Sequence, residues 1–413
     1  MTEPVIFKTL TIDELETGMF VTTLIIKNSN SKVKNQGRVN SQRTIDSLKK
    51  QGVTEVVIRC DTVEDDAANN SIKNDNDLQK VSQIESTDDK PTNAKKNSSN
   101  EACSVSEEFT RSCEIYDNAT KDIQDLLKKA QTQQQLSPEA VSALAGEITN
   151  SVIRNEYAIT ILTRIRHHST YQWEHATNCA ILVCGFALFL GFNKDTAQKM
   201  TLGALLHDIG VAKVSKAILD KPSKLTNNEM SVVQKHLAWG HQICKRDGFD
   251  DPIILDMLVN HHERLDGSGY PRGLEKEKIS KLSRITAIID VYDAMTGDKM
   301  HKKGVQPIIA LRHLLGKSEQ FDQELVQKFI KYVGVHPVGS LIELSNEKLA
   351  VVVEGNRAEP LKPKVKIFYS LKLEQYINPK SCDLVSDPAS IVSSIRAEDH
   401  NINSSKVIRD IIS

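Results

Sequence analysis

The sequence predicts a mainly α protein: a helical bundle with a small α+β N-terminal domain and a short β-rich C-terminal appendage. Three observations carry this. From about 101 to 330, apolar residues recur at helical spacing. Residues 1–60 and 331–380 instead carry short β-branched runs between turn residues. Residues 61–100 contain no aromatic side chain and too few apolar ones to offset the cost of ordering a backbone. That stretch reads as a disordered polar linker, dividing a small module from a large remainder.

The elements follow in order. Met19–Ile26 reads as a strand after the turn-like Glu16-Thr17-Gly18, and Asn40–Lys50 reads as a helix stopped by Gln51-Gly52. Val53–Ile58 is a second strand, and nothing in this module is catalytic by residue type. A helical lead-in over 101–154 contains Ser137-Pro138-Glu139, an N-cap followed by proline at the first helical position. Over 155–330, helical patterns cover Leu202–Ile209, Asn228–Cys244, Pro252–His262, Leu282–Met295 and Pro307–Leu315, with loops at Asp247-Gly248 and Gly267–Gly273. Ser340–Leu344, Leu349–Glu354 and Lys364–Tyr369 read as strands of the appendage, and 381–413 as a weakly ordered tail.

Composition excludes several classes. A chain of 413 residues allows two or three domains. With 53 basic and 54 acidic residues the net charge is −1, which argues against a nucleic-acid partner. The seven cysteines form no C-x-x-C pair, so they read as reduced thiols of a cytoplasmic protein. The apolar run Cys179–Phe192 is shorter than the roughly 20 residues a spanning helix needs. It reads as the central helix of a bundle, and no membrane insertion is expected.

The ionisable residues of the helical region are the chemical signal. His175, His207-Asp208, His236, His261-His262 and Asp290 all sit in or beside apolar helical stretches. A lone histidine there is usually a hydrogen-bonded core residue. Five histidines and two aspartates spread over several apolar helices are harder to satisfy, since each unpartnered buried polar group costs roughly 1–3 kcal/mol. A shared cation satisfies them together. Seven ligands exceed what one ion accepts with a site left open, so two divalent metals bridged by a carboxylate fit better. Fe, Mn, Zn, Co or Ni all suit imidazole and carboxylate donors. Such a pair favours phosphoester hydrolysis by a metal-bridged hydroxide.

LLHDIG at 205–210 together with HHERLDGSGYPRGL at 261–274 resembles the HD-GYP family, bacterial phosphodiesterases of cyclic di-GMP. ILDKPSKLTNNE at 218–229, KHLAWG at 235–240 and DVYDAMTG at 290–297 agree with it. LTIDELETGMFV at 10–21 more weakly resembles a small domain of unknown function that often precedes HD-GYP. The resemblance implies an HD-type helical bundle over about 155–330. It implies metal ligation by His175, His207, Asp208, His236, His261, His262 and Asp290, with Asp208 bridging. Some family members have a glutamate one turn before the first histidine and hold a third metal; Tyr171 stands there, which favours two, with Fe or Mn foremost. Gly267, Gly269, Tyr270 and Pro271 match the GYP loop, implied to wall the substrate site and to offer a protein-binding surface.

Two departures bear on activity. The family usually places a phosphate-contacting lysine directly after HDIG; here Val211 stands there, with Lys213 two residues on. An arginine commonly follows the DVYDAxT segment; here Lys299 stands there and Lys302 is a second basic position, keeping charge without bidentate geometry. The expectation is therefore a cyclic di-GMP phosphodiesterase giving pGpG, GMP or both, with Asp208, Lys213, Lys299 and Lys302 in the catalytic set. Lys299 and Lys302 also contact the substrate phosphate. Rival readings are a cyclic di-GMP receptor or scaffold with little turnover, and a hydrolase of another cyclic dinucleotide. A protein partner at the GYP loop or N-terminal module, and a homodimer, are compatible with the sequence. His167-His168 reads as a solvated pair rather than as further ligands.

Overall fold

The computed structural model describes residues 6–16, 19–26, 32–33, 37–39, 42–60, 102–165, 171–298, 303–400 and 402–412. The expected linker over 61–100, the His167-His168 pair, Lys299 and Lys302 lie outside these residues. The chain divides into two compact units, Met1–Asp75 with Val214–Trp239, and Asn76–Lys213 with Gly240–Ser413.

In the first unit, β1 (Ile6–Thr11) pairs antiparallel with β5 (Val53–Cys60), and β5 pairs with β2 (Phe20–Ile26). Two short strands, β3 (Lys32–Val33) and β4 (Gly37–Arg38), extend β2. Alternating residues on one face, Leu10, Val21, Leu24, Val56 and Ile58, bury themselves with Ile45 of α1 (Gln42–Lys50). Gly52, at φ +80°, ends α1 in a backbone conformation that costs glycine little. The segment from Val214 carries α7 (Lys216–Leu219) and α8 (Asn227–Gln234), the latter opened by a Thr226–Glu229 capping box.

The second unit is a helical bundle with a sheet at its C-terminal end. Its helices are α2 (Val105–Gln131), α3 (Pro138–Arg154), α4 (Glu156–Leu162), α5 (Tyr171–Phe189) and α6 (Lys194–Leu206). They continue with most of α9 (His236–Asp247), then α10 (Pro252–Asn260), α11 (Lys281–Thr296), α12 (Pro307–Gly316) and α13 (Gln323–Val333). Side chains at Ser104, Ser137, Asn155, Asn193, Asp251, Ser280 and Asp322 accept first-turn amides, so each of these helix starts is fixed locally. The predicted central helix is α5: Ala180, Ile181, Val183, Cys184, Phe186 and Ala187 are fully buried. It packs against α2, α3, α6, α11 and α13. Among the described residues no helix is long and apolar enough to cross a membrane.

The sheet runs in the order β10 (Ile391–Ser394), β6 (Leu341–Leu344), β7 (Lys348–Glu354), β8 (Lys364–Ser370), β9 (Gln375–Asp383). All its pairings are antiparallel, and Val351, Val352, Val365 and Phe368 are buried.

Four expectations need correction. The described residues of the expected weakly ordered tail over 381–413 form regular elements instead: β9 reaches Asp383, β10 completes the sheet, and α14 (Ser404–Ile412) buries Val407, Ile408, Ile411 and Ile412. The lead-in over 101–154 is part of the bundle, since α2 and α3 pack directly on α5. The single helix expected over Asn228–Cys244 breaks at Lys235, whose amide bonds the Val232 carbonyl while the His236 ring takes that of Val233. Finally, His207 and Asp208 do not continue a helix: His207 caps α6, and a 3-10 turn follows at Ile209–Lys213.

Candidate metal centre

One local device recurs at the key histidines. His207 caps α6, His261 caps α10, and each ring folds back so that Nδ1 meets the carbonyl three residues earlier. The distances are 2.7 Å to Ala204 and 2.9 Å to Leu258. A carbonyl only accepts, so Nδ1 carries the proton and Nε2 keeps its lone pair. In the first unit, His236 starts α9 with the same bond, Nδ1 to Val233 O at 2.7 Å. The tautomer that exposes Nε2 for a metal is thus set by backbone geometry.

In the second unit these rings converge. The His207 and His261 centroids are 4.9 Å apart and nearly perpendicular, His175 is 5.4 Å from His207, and His262 is 4.0 Å from His261. Asp208, half-buried, places Oδ2 3.6 Å from His207 Nε2 and Oδ1 3.7 Å from His261 Nε2. These separations are too long for hydrogen bonds. They are near the spacing of about 3–3.5 Å expected between two donors each about 2.1 Å from one cation. Asp208, His261 and His262 offer donor atoms within 4.8 Å of one another, as do His175, Cys179 and His207. His207 Nε2 is buried with no hydrogen-bond partner among the described residues, an arrangement a cation would relieve. The residues therefore fit a metal.

On the other side, His175 stands between two acids. Its Nδ1–H donates to Asp293 Oδ2 at 2.8 Å, and its Nε2 lies 3.2 Å from Asp290 Oδ1. Asp290 Oδ2 lies 3.7 Å from His262 Nδ1. Burial opposes the charge on Asp290, yet the bond from His175 and the charges of His262, His175 and His261 hold its carboxyl well below the usual range. Burial also pushes His261 well below the ordinary imidazole value, helped by neighbouring His262 and His207. Both shifts favour the ligand forms, carboxylate and neutral imidazole. Burial pushes the Cys179 thiol up to about 12, so it lies among these donors as a thiol.

The loop after the histidine pair is built as the sequence suggests. Gly267 has φ +75°, and a Cβ on Gly269 would overlap the backbone of His262, Glu263 and Arg264. Glu263, buried, accepts the amides of Arg272 and Leu274 at 2.8 and 2.9 Å and so ties the far side of the loop down. Tyr270 lies over His262 with centroids 4.7 Å apart, and the Tyr270-Pro271 peptide is cis. Lys213 is exposed at the end of its 3-10 turn.

Sequence reasoning singled out Asp290 but missed Asp293 and Glu263. Asp293 follows Asp290 by three positions on a helix, hence on the same face, and that spacing was available. Glu263 gave no signal, because its partners are backbone amides eleven or fewer residues later.

Family models match at three places: "HD domain" at residues 165–325, "Domain of unknown function (DUF3391)" at 7–141, and "KOW domain associated with HD domain" at 341–402. The cyclic di-GMP phosphodiesterase PA4108 of Pseudomonas aeruginosa is 33% identical over 280 residues, covering 68% of each chain. The cyclic di-GMP phosphodiesterase PdeB of Borreliella burgdorferi is 29% identical over 196 residues, 47% of this chain and 52% of that one. The 3′3′-cGAMP-specific phosphodiesterase 1 of Vibrio cholerae is 38% identical over 128 residues, 31% of this chain and 30% of that one. With its convergent histidines and aspartates, its glycine-built loop and a relative matched over two thirds of both lengths, the chain belongs to the HD-GYP family of HD-domain phosphodiesterases.

Proposed function

We propose that this protein hydrolyses cyclic di-GMP, using two divalent metal ions, Fe or Mn foremost. The observation that carries this reading is Asp208, whose two carboxylate oxygens address two different imidazoles across gaps too long for hydrogen bonds. A relative matched over 68% of both chains bears the name of a cyclic di-GMP phosphodiesterase, which supports the substrate.

His175, His207, Asp208, His261, His262 and Asp290 would hold the metals, and the family resemblance adds His236. When bound, the ions supply charge for the phosphate oxygens and a water acidic enough to act near neutral pH. The chain's own residues prepare that chemistry. Asp293 fixes the ring of His175, and the carbonyls of Ala204 and Leu258 fix those of His207 and His261. Tyr270, its ring tilted over that of His262, walls one side. Lys213, Lys299 and Lys302 stand as phosphate contacts on the sequence reading. The product is pGpG, or GMP where the second diester is also cut.

A second substrate has specific support, because a 3′3′-cGAMP-specific phosphodiesterase is 38% identical over 128 residues. Competition separates the two. Protein purified without oxygen and analysed for metal should convert cyclic di-GMP to pGpG or GMP, and equimolar 3′3′-cGAMP should be the weaker competitor. Preferential cleavage of 3′3′-cGAMP would change the substrate. Metal-replete protein that binds cyclic di-GMP and releases no product would replace the enzyme with a receptor.

A further inference from the structure

A polar chain that the metal chemistry does not use connects α10 to the loop from Gly267 to Leu274. It starts at Asp256 of α10, which is buried and accepts from the hydroxyls of Ser280 and Ser283 at the start of α11, the latter at 2.7 Å. Asn260, one turn further along α10 and also buried, donates from Nδ2 to Asp256 Oδ1 at 2.7 Å. Its Oδ1 accepts Arg272 Nη2 of the loop at 2.9 Å. The two neighbours fix the orientation of this amide. Asp256 is the acceptor on which the donors converge, and a guanidinium only donates, so turning the amide over would set oxygen against oxygen and N–H against N–H. Aspartate at 260 would place a second carboxyl against that of Asp256, and leucine would bond to neither neighbour. Arg272 Nε is buried without a hydrogen-bond partner among the described residues, so the side chain is held inward at a cost in solvation.

We infer that Asn260 is a positioning residue for the substrate wall: it ties Arg272, and through it Tyr270, to the helices that carry the metal-centre residues. Asp256 is the fixed point. It joins α10, which ends at His261, to α11, which carries Asp290 and Asp293. Arg272 follows Tyr270 by two residues, and the Tyr270 amide bonds His262 O at 3.3 Å while its ring lies over that of His262. Glu263 grips the main chain of Arg272 at 2.8 Å, and Asn260 grips its side chain. The two ties act on one residue from different sides, so the loop is held against rotation as well as against lifting. The bearing on substrate rests on the proposed hydrolysis of cyclic di-GMP. A wall that contacts bound nucleotide before and during the reaction contributes uniform binding, so its loosening belongs in KM more than in kcat.

The test compares the full-length, metal-loaded protein with Arg272→Ala, Arg272→Lys, Asn260→Ala and the double variant Asn260→Ala/Arg272→Ala. Each is read for metal content, for KM and kcat on cyclic di-GMP, and for hydrogen exchange over residues 267–274. Arg272→Ala should raise KM about tenfold, the scale of one lost charge-assisted bond, with a smaller change in kcat, wild-type metal content and faster loop exchange. Arg272→Lys should recover part of both effects. Asn260→Ala should raise KM as Arg272→Ala does, and the double variant should be no worse than Asn260→Ala, because both changes remove the same bond. Wild-type KM and loop exchange in Arg272→Ala would overturn the proposal. So would a lowered Tm with KM unaltered, the mark of a structural role alone. KM increases that multiply in the double variant would show two independent contacts and overturn it as well. Should Asn260→Ala fail to fold, the two Arg272 variants still decide. A wild type that releases no product would remove the proposed hydrolysis alone, and the Kd for cyclic di-GMP with loop exchange would then carry the same comparison.

Discussion

At the scale of single residues, the centre depends on groups that orient the imidazoles as much as on the imidazoles themselves. Asp293 holds His175 by a 2.8 Å bond and is fully buried. Asp293→Asn keeps the shape but can present an amide N–H to the ring, reversing its tautomer. We expect a 10- to 100-fold loss of metal affinity, the usual effect of removing such a supporting partner, read by metal titration with a chelator. Retained affinity would mean that Asp290 alone sets the ring. The ligand candidates were legible because histidine is conspicuous in an apolar helix. Their supports were not, because a carbonyl three residues back belongs to every sequence. Lys213 was legible as charge alone, and the structure gives it an exposed position.

At the scale of elements, the loop from Gly267 to Leu274 and the joint between α2 and α3 make separate predictions. Gly269→Ala drives a methyl into the backbone of His262, Glu263 and Arg264, and neither side of that contact is a flexible side-chain end. The variant should lose most turnover while its circular dichroism stays helical; wild-type rates would show that the loop does not shape the site. Glu108 of α2 is buried and receives Arg154 Nε and Nη2 of α3 at 2.8 and 2.7 Å, with Ser151 Oγ at 2.8 Å. Burial works against its charge, but the bonds from Arg154 and Ser151 and the charges of Arg154 and Arg111 hold the carboxyl below its ordinary range. A carboxylate depressed on folding stabilises above its unfolded pKa, near 4.3, and loses that contribution as pH falls through the folded value. Glu108→Gln should therefore destabilise by about 3–5 kcal/mol at pH 7, the scale for one partner lost from a buried pair. The deficit should shrink below pH 4, as read by urea midpoints at the two pH values. A deficit independent of pH would contradict the ionic account. Helix starts such as Ser137-Pro138 and Asp251-Pro252 were readable in advance because capping chemistry is local. The break at Lys235 was not, since it depends on where the His236 ring folds back.

At the scale of the whole chain, the sequence showed a helical region between β-containing segments. The HD-domain model covers 165–325 of that region, whereas the DUF3391 model runs over 7–141, across the expected linker into the lead-in, and the KOW model over 341–402. The missed part was the C-terminal end. β9 exposes most of its residues and contains Pro379, as an edge strand can, so it lacks the alternation that marks a half-buried strand. α14 is nine residues long, too short to hold as an isolated helix. It is secured by an Arg409–Asp117 pair to α2 and by Lys366 of β8, which donates to Ile411 O at 2.7 Å. Such long-range contacts cannot be read from a local pattern. The central claim is that one cluster holds the metals and cleaves the cyclic dinucleotide. The most direct test is metal content and cyclic di-GMP turnover of anaerobically purified protein, wild type beside Asp208→Ala. We predict about two metals per chain with product release in the wild type, and loss of both metal and turnover in the variant. Unchanged turnover in Asp208→Ala would contradict the account.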